Sequence, residues 1–273
     1  MTNTARSIFA LVDRIALQVR RTNQGKHGHT SFNTINSIRV WRARCMGTIG
    51  IEWINKYHGR AADLKNNDDN ARGFYNELDG VRQFEYGDDL AWDQDFEESG
   101  AGSPSTGTDQ YYADNVDIVF FSGHGSRSGP FFGRADRDDG TAGYSEIRLG
   151  NRNCEWVIFD ACQVLDNSDG KVFSRWEQIF KGLHYVLGFV STTSDSSSRG
   201  KKFAKHLNDG YTVRNAWKKA CQETEGSGVT WGYLRADKSG GGTDTYNDHW
   251  HGKGTVSADP TGSLSFYYGH GTC

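Results

Sequence analysis

The chain has 273 residues, of which 36% are hydrophobic and 13% aromatic, so it can bury one substantial core. We therefore expect a single domain over residues 1–273 rather than two small ones. The formal net charge of −3 argues against nucleic acid as a partner, because nucleic-acid-binding proteins cluster cationic residues. No stretch of the sequence reaches the apolar length that crosses a bilayer, so a membrane partner is not expected either.

The first 45 residues are predicted to form an N-terminal extension with one amphipathic helix. Its apolar residues recur at helical spacing: Ile8, Leu11, Val12, Ile15 and Val19. Asp13 and Arg14 interrupt any signal-peptide core. The five cysteines include no Cys-x-x-Cys pair, which favours a reducing compartment over a disulfide scaffold. Together these features predict a cytoplasmic protein without a signal peptide.

The core is predicted over residues 46–225 and begins with a strand and a helix. Residues 47–54 are typical of a β-strand. Residues 69–78 are typical of the helix that follows it, with Asp68 or Asp69 as the N-cap. Residues 87–110 then turn acidic and rich in Gly, Ser and Thr, which predicts a long solvated loop.

Two apolar runs in the middle of the chain each end close to a reactive side chain. Residues 116–121 lead to His124, and residues 156–159 lead to Cys162. Continuous apolar runs are typical of parallel strands that are buried on both faces. The carboxyl ends of such strands meet at one edge of the sheet, where α/β proteins bind ligands. The sequence therefore predicts an α/β fold with a mostly parallel central sheet flanked by helices, and a thiol and an imidazole at one edge.

A third strand and two helices are predicted after Cys162. The strand lies within residues 184–192, and the helices include residues 200–207 and 213–217. Cys221 is expected in a helix core, since it belongs to a set of residues at helical spacing: Val213, Ala216, Trp217, Ala220 and Cys221. Residues 226–273 are predicted to form a C-terminal β extension, in which Leu264, Phe266 and Tyr268 alternate as in an edge strand.

The order of these motifs resembles the caspase, legumain, gingipain and metacaspase group of cysteine peptidases, clan CD. His124-Gly125 after one strand and Asp160-Ala161-Cys162 after the next carry the resemblance, which extends from about Gly47 to Trp217. It implies a caspase-haemoglobinase-like fold. The chain departs from the caspase pattern Gln-Ala-Cys-x-Gly after the cysteine, so an atypical branch without aspartate-specific cleavage is implied.

The resemblance also implies a mechanism and roles for particular residues. Cys162 attacks the peptide carbonyl, and His124 holds the proton and passes it to the leaving amine. The N–H groups of Gly125 and Cys162 are the oxyanion-hole candidates, because a glycine lets the backbone approach the developing charge closely. Asn55, near the end of the first strand, is the candidate for a third residue that orients the histidine.

The acid two residues before the nucleophile gives an expectation for specificity. In metacaspases and gingipains the matching acid lies in the pocket for a basic residue before the cut, so Asp160 implies cleavage after Arg or Lys. Asp195 could add a second carboxylate to that pocket. In the alternative, Asp160 accepts backbone amides at the strand end and Asp195 caps a turn.

Two other functions fit the same residues. A catalytically inactive member of the group would bind basic peptides without cleaving them. A cysteine hydrolase would act on an amide that is not a peptide, since the dyad chemistry does not fix the substrate. Taken alone, Cys162 also fits a small buried residue that ends a core strand, and His124 fits a core histidine that is bonded to a carbonyl.

Two His-x-His pairs, His27/His29 and His249/His251, have the spacing of metal ligands in a strand. Asp248 is the one further ligand that the local sequence offers, and both pairs lie in loop-like segments. We interpret these histidines as solvent-exposed. The sequence therefore predicts neither a metal nor another cofactor, and the expected partner is a peptide or protein substrate.

Overall fold

The computed structural model describes residues 46–101 and 106–273, and in this part of the chain a seven-stranded sheet forms the centre of an α/β fold. These residues contain nine strands, of which seven form the central sheet and two, β4 and β5, pair with each other. The strands are β1 (Thr48–Trp53), β2 (Val81–Gly87), β3 (Ile118–Ser122), β4 (His124–Ser126), β5 (Gly129–Phe131), β6 (Trp156–Asp160), β7 (Tyr185–Phe189), β8 (Thr230–Lys238) and β9 (Leu264–Thr272). The order in the sheet is β2-β1-β3-β6-β7-β8-β9. The pairs up to β6–β7 are parallel and the last two are antiparallel. The prediction of an α/β fold with a mostly parallel sheet is confirmed.

Four α-helices connect the strands within the described residues. They are α1 (Asn67–Glu77), α2 (Val172–Trp176), α3 (Arg199–Asn208) and α4 (Val213–Gln222), and six short 3₁₀ helices lie in the connections. α1 begins two residues before the predicted start, so Asp68 and Asp69 lie in its first turn, and Asn66 is the N-cap. The predicted N-terminal helix lies outside the described residues.

The two apolar runs form β3 and β6, which are buried on both faces. Val119 and Phe121 belong to one hydrophobic cluster, whereas Ile118 and Phe120 belong to another. This separation follows from the two-residue period of a strand, which directs successive side chains to opposite faces. Helices α1, α3 and α4 contribute to the second cluster. All five residues that were expected in a helix core, Val213, Ala216, Trp217, Ala220 and Cys221, are buried in α4.

The C-terminal segment completes the sheet. β9 is the edge strand that the alternation of Leu264, Phe266 and Tyr268 predicts, and it pairs along its whole length with β8. β8, and β2 at the opposite side of the sheet, were not predicted from the sequence. Residues 226–273 therefore contribute two strands to the central sheet.

The acidic segment after β2 differs from the expected solvated loop. The stretch from Ala91 to Glu97 is buried, and Phe96 packs among the aromatic residues of the first cluster. Asp93 and Asp95 lie in a 3₁₀ helix and are also buried. The prediction was wrong for this stretch, because the acidic residues cover a core that composition alone does not reveal.

Within residues 46–101 and 106–273, none of the helices combines the length and apolar character that a membrane span requires.

Candidate functional site

His124 and Cys162 occupy equivalent positions beyond two adjacent strands. β3 and β6 are paired so that Ser122 lies opposite Asp160, and His124 and Cys162 each follow two residues later. The N–H of Gly123 donates to the carbonyl of Asp160 at 3.2 Å and joins the two chain segments just past the pairing. The register therefore brings both residues to the carboxyl edge of the sheet, and both line one cavity there.

The first residue of the β4–β5 hairpin is His124, and three contacts fix it. The ring Nε2 lies 2.8 Å from the carbonyl oxygen of Ala62. The backbone N–H of His124 donates to the Tyr57 hydroxyl at 2.6 Å, and the two rings pack with centroids 4.6 Å apart. Burial raises the pKa of Tyr57 well above its usual value, so this hydroxyl stays protonated. The imidazole is thus oriented by a backbone carbonyl and a buried ring.

Asn55 does not orient the histidine. Its side-chain oxygen accepts the N–H of Asn67 at 3.0 Å, and its amide donates to Asp68 at 2.7 Å. Asn55 therefore satisfies the N-terminus of α1, and the carbonyl of Ala62 takes the role that we had expected for Asn55. A backbone carbonyl leaves no mark in the sequence, so this partner was not predictable from residue type.

Cys162 lies in a tight turn that begins at the end of β6. The N–H of Ala161 donates back to the carbonyl of Phe159 at 2.8 Å, and Gln163 has a positive φ of 58°. Such a conformation is uncommon for a residue other than glycine and is often found at functional sites. The N–H of Thr193 donates to the Cys162 sulfur at 3.3 Å. The thiol is partly exposed, which excludes the interpretation of Cys162 as a sealed core residue.

The other described thiols differ from Cys162 in their surroundings. Cys154 and Cys221 are buried, and burial raises the pKa of both thiols well above the usual value. Cys273 is partly exposed, and a hydrogen bond from Cys221 lowers its pKa. Among the described thiols, Cys162 is the one that lines the cavity of His124.

The backbone at Gly125 packs directly against the turn that carries the cysteine. A Cβ atom at this position would lie 2.7 Å from the Cβ of Ala161 and 3.1 Å from the carbonyl oxygen of Cys162. Both distances are too short for an undisturbed contact, so a side chain would push the hairpin away from the turn. Glycine is required here for close packing between the two segments, whereas the sequence had suggested the approach of the backbone to an oxyanion as the reason.

The cavity between these segments has a volume of about 70 Å³, and most of the residues that line it are of polar type. Its walls come from the end of β3, the turn after β6, the start of α1 and the loop between β7 and α3. Asp160, Asp195 and Arg199 are the charged residues of the lining besides His124. The expected specificity residues therefore do lie beside the candidate nucleophile.

The Asp160 carboxylate is already engaged by residues of the protein itself. Asp160 is 4% exposed, and it accepts hydrogen bonds from the Arg199 guanidinium and, at 2.7 Å, from the amide of Asn70. The same guanidinium also pairs with Glu225 and lies over the ring of Phe189 at 4.7 Å. An internal arginine thus occupies one side of the carboxylate that we expected to receive a substrate's basic side chain. Arg199 and Asn70 were not foreseen in the site.

Asp195 receives backbone amides. Its two carboxylate oxygens accept the N–H groups of Lys65 at 2.8 Å and of Asn66 at 3.2 Å, and its carbonyl accepts the Asn66 side chain at 2.9 Å. This is the capping role of our alternative interpretation, although Asp195 is not fully buried and lines the cavity. The contact fastens the loop after β7 to the segment that precedes α1.

The His249/His251 pair does not form a shared site. The ring of His249 packs against Gly254, whereas the ring of His251 points toward Asp117 and Glu155. Asp248, the ligand that we had considered, lies 2.5 Å from the buried ring of a different histidine, His184. Burial lowers the pKa of His184, but hydrogen bonds to Asp248 and Asp259 outweigh this effect and raise it to about 9. His27 and His29 lie outside the described residues.

The fold and this edge define an α/β protein in which a cysteine and a histidine share a polar cavity at the carboxyl ends of neighbouring parallel strands. The chain belongs to the DUF6345 family, described as a domain of unknown function, whose family model matches residues 51–271. That span includes both His124 and Cys162. A protein of Archaeoglobus fulgidus described as uncharacterized is 31% identical over 121 residues, which cover 39% of this chain and 44% of the relative.

Proposed function

We propose that this protein is a cysteine endopeptidase in which Cys162 is the nucleophile and His124 transfers protons. The observation that carries the proposal is the pairing of Ser122 with Asp160, since it brings the two side chains to one cavity. The caspase-like resemblance of the sequence supports it further, as do the predicted elements before and after the two motifs, which correspond to β1, α1, β7, α3 and α4.

The contact of His124 with Ala62 determines which ring nitrogen takes part. A carbonyl oxygen only accepts hydrogen bonds, so Nε2 carries a hydrogen and donates it to Ala62. Nδ1 is then the nitrogen that can take up a proton when the thiol becomes a thiolate and return it to the leaving amine. The thiolate forms a bond to the peptide carbonyl carbon, and loss of the amine leaves a thioester that water hydrolyses.

Cleavage after Arg or Lys stays a prediction. Two carboxylates, Asp160 and Asp195, and one guanidinium, that of Arg199, give the lining a net negative charge when His124 is neutral. This favours a cationic side chain. Because Arg199 already pairs with Asp160, we expect Asp195 to contribute more to the selection of a basic residue than Asp160 does.

The test is cleavage of a peptide library by the full chain and by Cys162→Ala. We expect cleavage that Cys162→Ala abolishes while the folded state is kept, as judged by circular dichroism. Cys273→Ala is the matched control, because Cys273 is another partly exposed thiol and lies outside the cavity. It should keep full activity.

The same experiment distinguishes the other functions. Tight binding of basic peptides without cleavage would contradict the proposal and support an inactive peptide-binding module. Cleavage that survives Cys162→Ala would reject the mechanism. Thiol-dependent hydrolysis of small amides with no cleavage of any peptide would reject the substrate class and keep the dyad chemistry.

A further inference from the structure

Three potential metal ligands meet at the amino edge of the sheet, opposite the cysteine and histidine. Asp117 directly precedes β3, Glu155 directly precedes β6, and His251 comes from the segment between β8 and β9. One ligand atom from each lies within 4.8 Å of the other two. His251 Nε2 is 3.6 Å from an Asp117 oxygen and 3.8 Å from a Glu155 oxygen.

The surrounding contacts hold these side chains in place. Thr48 donates its N–H and its hydroxyl to the other oxygen of Asp117, and this leaves Oδ1 directed at His251. The ring of His251 packs edge-on against two tryptophans, Trp156 and Trp250, at centroid distances of 5.5 and 5.4 Å. Trp250 is fully buried and donates its indole N–H to a backbone carbonyl at 2.6 Å. The imidazole is therefore rigidly presented to the two carboxylates.

Two polar atoms of this group have no hydrogen-bond partner among the described residues. His251 Nε2 and Glu155 Oε2 are both buried without a partner in the described part of the chain. Such atoms are costly to bury, and native proteins satisfy nearly all of them with protein groups, water or ions. The distances of 3.6 and 3.8 Å exceed those of a hydrogen bond. They are instead close to the separation of about 3.3 Å between neighbouring ligands of a tetrahedral ion with bonds of about 2.0 Å.

We propose that Asp117, Glu155 and His251 bind a divalent transition-metal ion, best represented by zinc. One imidazole and two carboxylates match the ligand types of zinc and leave a coordination position for solvent. A cation there would neutralise two partly buried carboxylates and give His251 Nε2 its partner. It would also fasten the segment between β8 and β9 to the starts of two core strands.

This site is separate from the proposed dyad. Asp117 and His124 lie at opposite ends of β3, a strand of five residues, so a rise of about 3.3 Å per residue separates the two ends by about 16 Å. The inference does not rest on peptidase activity, and its readouts are metal content, affinity and stability.

The competing explanation is a protonated His251 that bridges the two carboxylates without a metal. Burial lowers the pKa of His251, but the carboxylate of Glu155 outweighs this and raises it.

The experiment measures zinc binding to the full-length chain in a Cys162→Ala background, so that zinc held by the candidate dyad is not counted. After treatment with a chelator, titration calorimetry should detect a site that His251→Ala weakens at least about 100-fold, more than loss of an outer partner costs. Zinc in about 100-fold excess over its dissociation constant should raise the unfolding midpoint by roughly 5–10 °C, and His251→Ala should lose this shift.

Matched variants keep the test decisive. His249→Ala removes the neighbouring histidine of the pair and should retain zinc binding. Glu155→Gln keeps the side-chain shape and should also lose the site, which covers the case in which His251→Ala fails to fold. Equal zinc affinity in Glu155→Gln and its parent would overturn the proposal. The absence of zinc uptake by the parent would do the same and would leave the protonated bridge as the explanation.

Discussion

The two edges of the central sheet bury charged groups in different ways. At the carboxyl edge, Asp160 is paired with Arg199, which in turn pairs with Glu225. At the amino edge, Asp117 and Glu155 both face His251 at distances too long for hydrogen bonds, and Thr48 donates to the other oxygen of Asp117. The first group is satisfied by the protein itself, whereas the second contains buried atoms that have no hydrogen-bond partner among residues 46–101 and 106–273.

This difference indicates whether the buried carboxylates at each edge require a bound ligand to compensate their charge. Removing a charge from water costs several kcal/mol unless a partner of opposite charge and further hydrogen bonds replace the solvent. The carboxyl edge meets this condition internally, so its cavity can be held rigid around Cys162 and His124 before a substrate arrives. At the amino edge, the carboxylates lack a full set of charge and hydrogen-bond partners among the described residues, and we therefore infer a bound cation there. At the carboxyl edge, we infer a preformed cleft.

The largest effect is expected from the loss of the histidine at the carboxyl edge. His124→Ala should lower kcat/KM for a cleaved peptide by about 10²- to 10⁴-fold, because it removes the group that transfers the proton. Stability should change little, since the ring is partly exposed. Steady-state kinetics measure the effect. His58→Ala is the control, since it removes an exposed histidine that pairs with Asp89 and does not line the cavity, and it should keep wild-type kinetics. Unchanged kinetics in His124→Ala would contradict the proposal that His124 transfers protons at the carboxyl edge.

The next effect tests whether the buried pair at the carboxyl edge is as self-sufficient as its contacts indicate. Arg199→Met should destabilise the protein by about 3–5 kcal/mol, because Asp160 and Glu225 would remain buried without a cation. Urea denaturation measures the change. Arg72→Met removes an exposed ion pair with Glu85 and should cost less than about 1 kcal/mol. Similar losses in the two variants would show that burial does not distinguish these ion pairs.

The sequence predicted the centre of the sheet better than its margins, and burial explains why. β3 and β6 are buried on both faces and therefore appear as uninterrupted apolar runs. β2 is an edge strand in which Phe84 is the one buried residue, so its sequence resembles a polar loop. β8 contains Arg235, which is buried and forms an ion pair with Asp237. These charged residues interrupt the apolar pattern by which an interior strand is recognised.

The candidate site was predictable to the extent that it depends on position along a strand. His124 and Cys162 could be recognised because each follows an apolar run by the same offset. The partner of Asp160 could not be recognised, since Arg199 is 39 residues away and only the tertiary fold brings the two together. The same limit applied to the acids of residues 91–97, because their burial depends on a core assembled from distant segments.

Two glycines, one at each edge, provide a matched pair of smaller changes. A Cβ at Gly125 would collide with Ala161, and a Cβ at Gly47 would lie 2.4 Å from Trp250 and 2.6 Å from His251. Each glycine-to-alanine variant should lose about 1–3 kcal/mol of stability through overpacking. Gly125→Ala should also lose activity and keep zinc binding, whereas Gly47→Ala should lose zinc affinity and keep activity. The combination of denaturation, kinetics and calorimetry checks this, and loss of both functions in both variants would mean that the edges are not independent.

The smallest effect concerns buried acids that form no ion pair within the described part of the chain. Glu52, Asp93, Asp95 and Glu97 form no ion pair in residues 46–101 and 106–273, and Glu97 is 2% exposed with one oxygen lacking a partner. Burial and the negative charges of Asp93 and Glu146 raise the pKa of Glu97 to about 10. Glu97 is therefore a buried acid without an ion pair in the described residues, in contrast to Asp160, which pairs with Arg199.

A carboxyl group whose pKa is higher in the folded than in the unfolded state makes stability fall as pH rises between the two pKa values. For Glu97 this window begins near the unfolded value of about 4.3 and extends toward its folded value of about 10. Glu97→Gln removes the titration, so its stability should fall by about 1 kcal/mol less than that of the wild type between pH 5 and 6. Glu177→Gln, at an exposed site, should keep the wild-type slope. Urea denaturation across this range measures the slopes, and parallel curves for wild type and Glu97→Gln would show that Glu97 is ionised in the folded protein, which would require a cation near it after all.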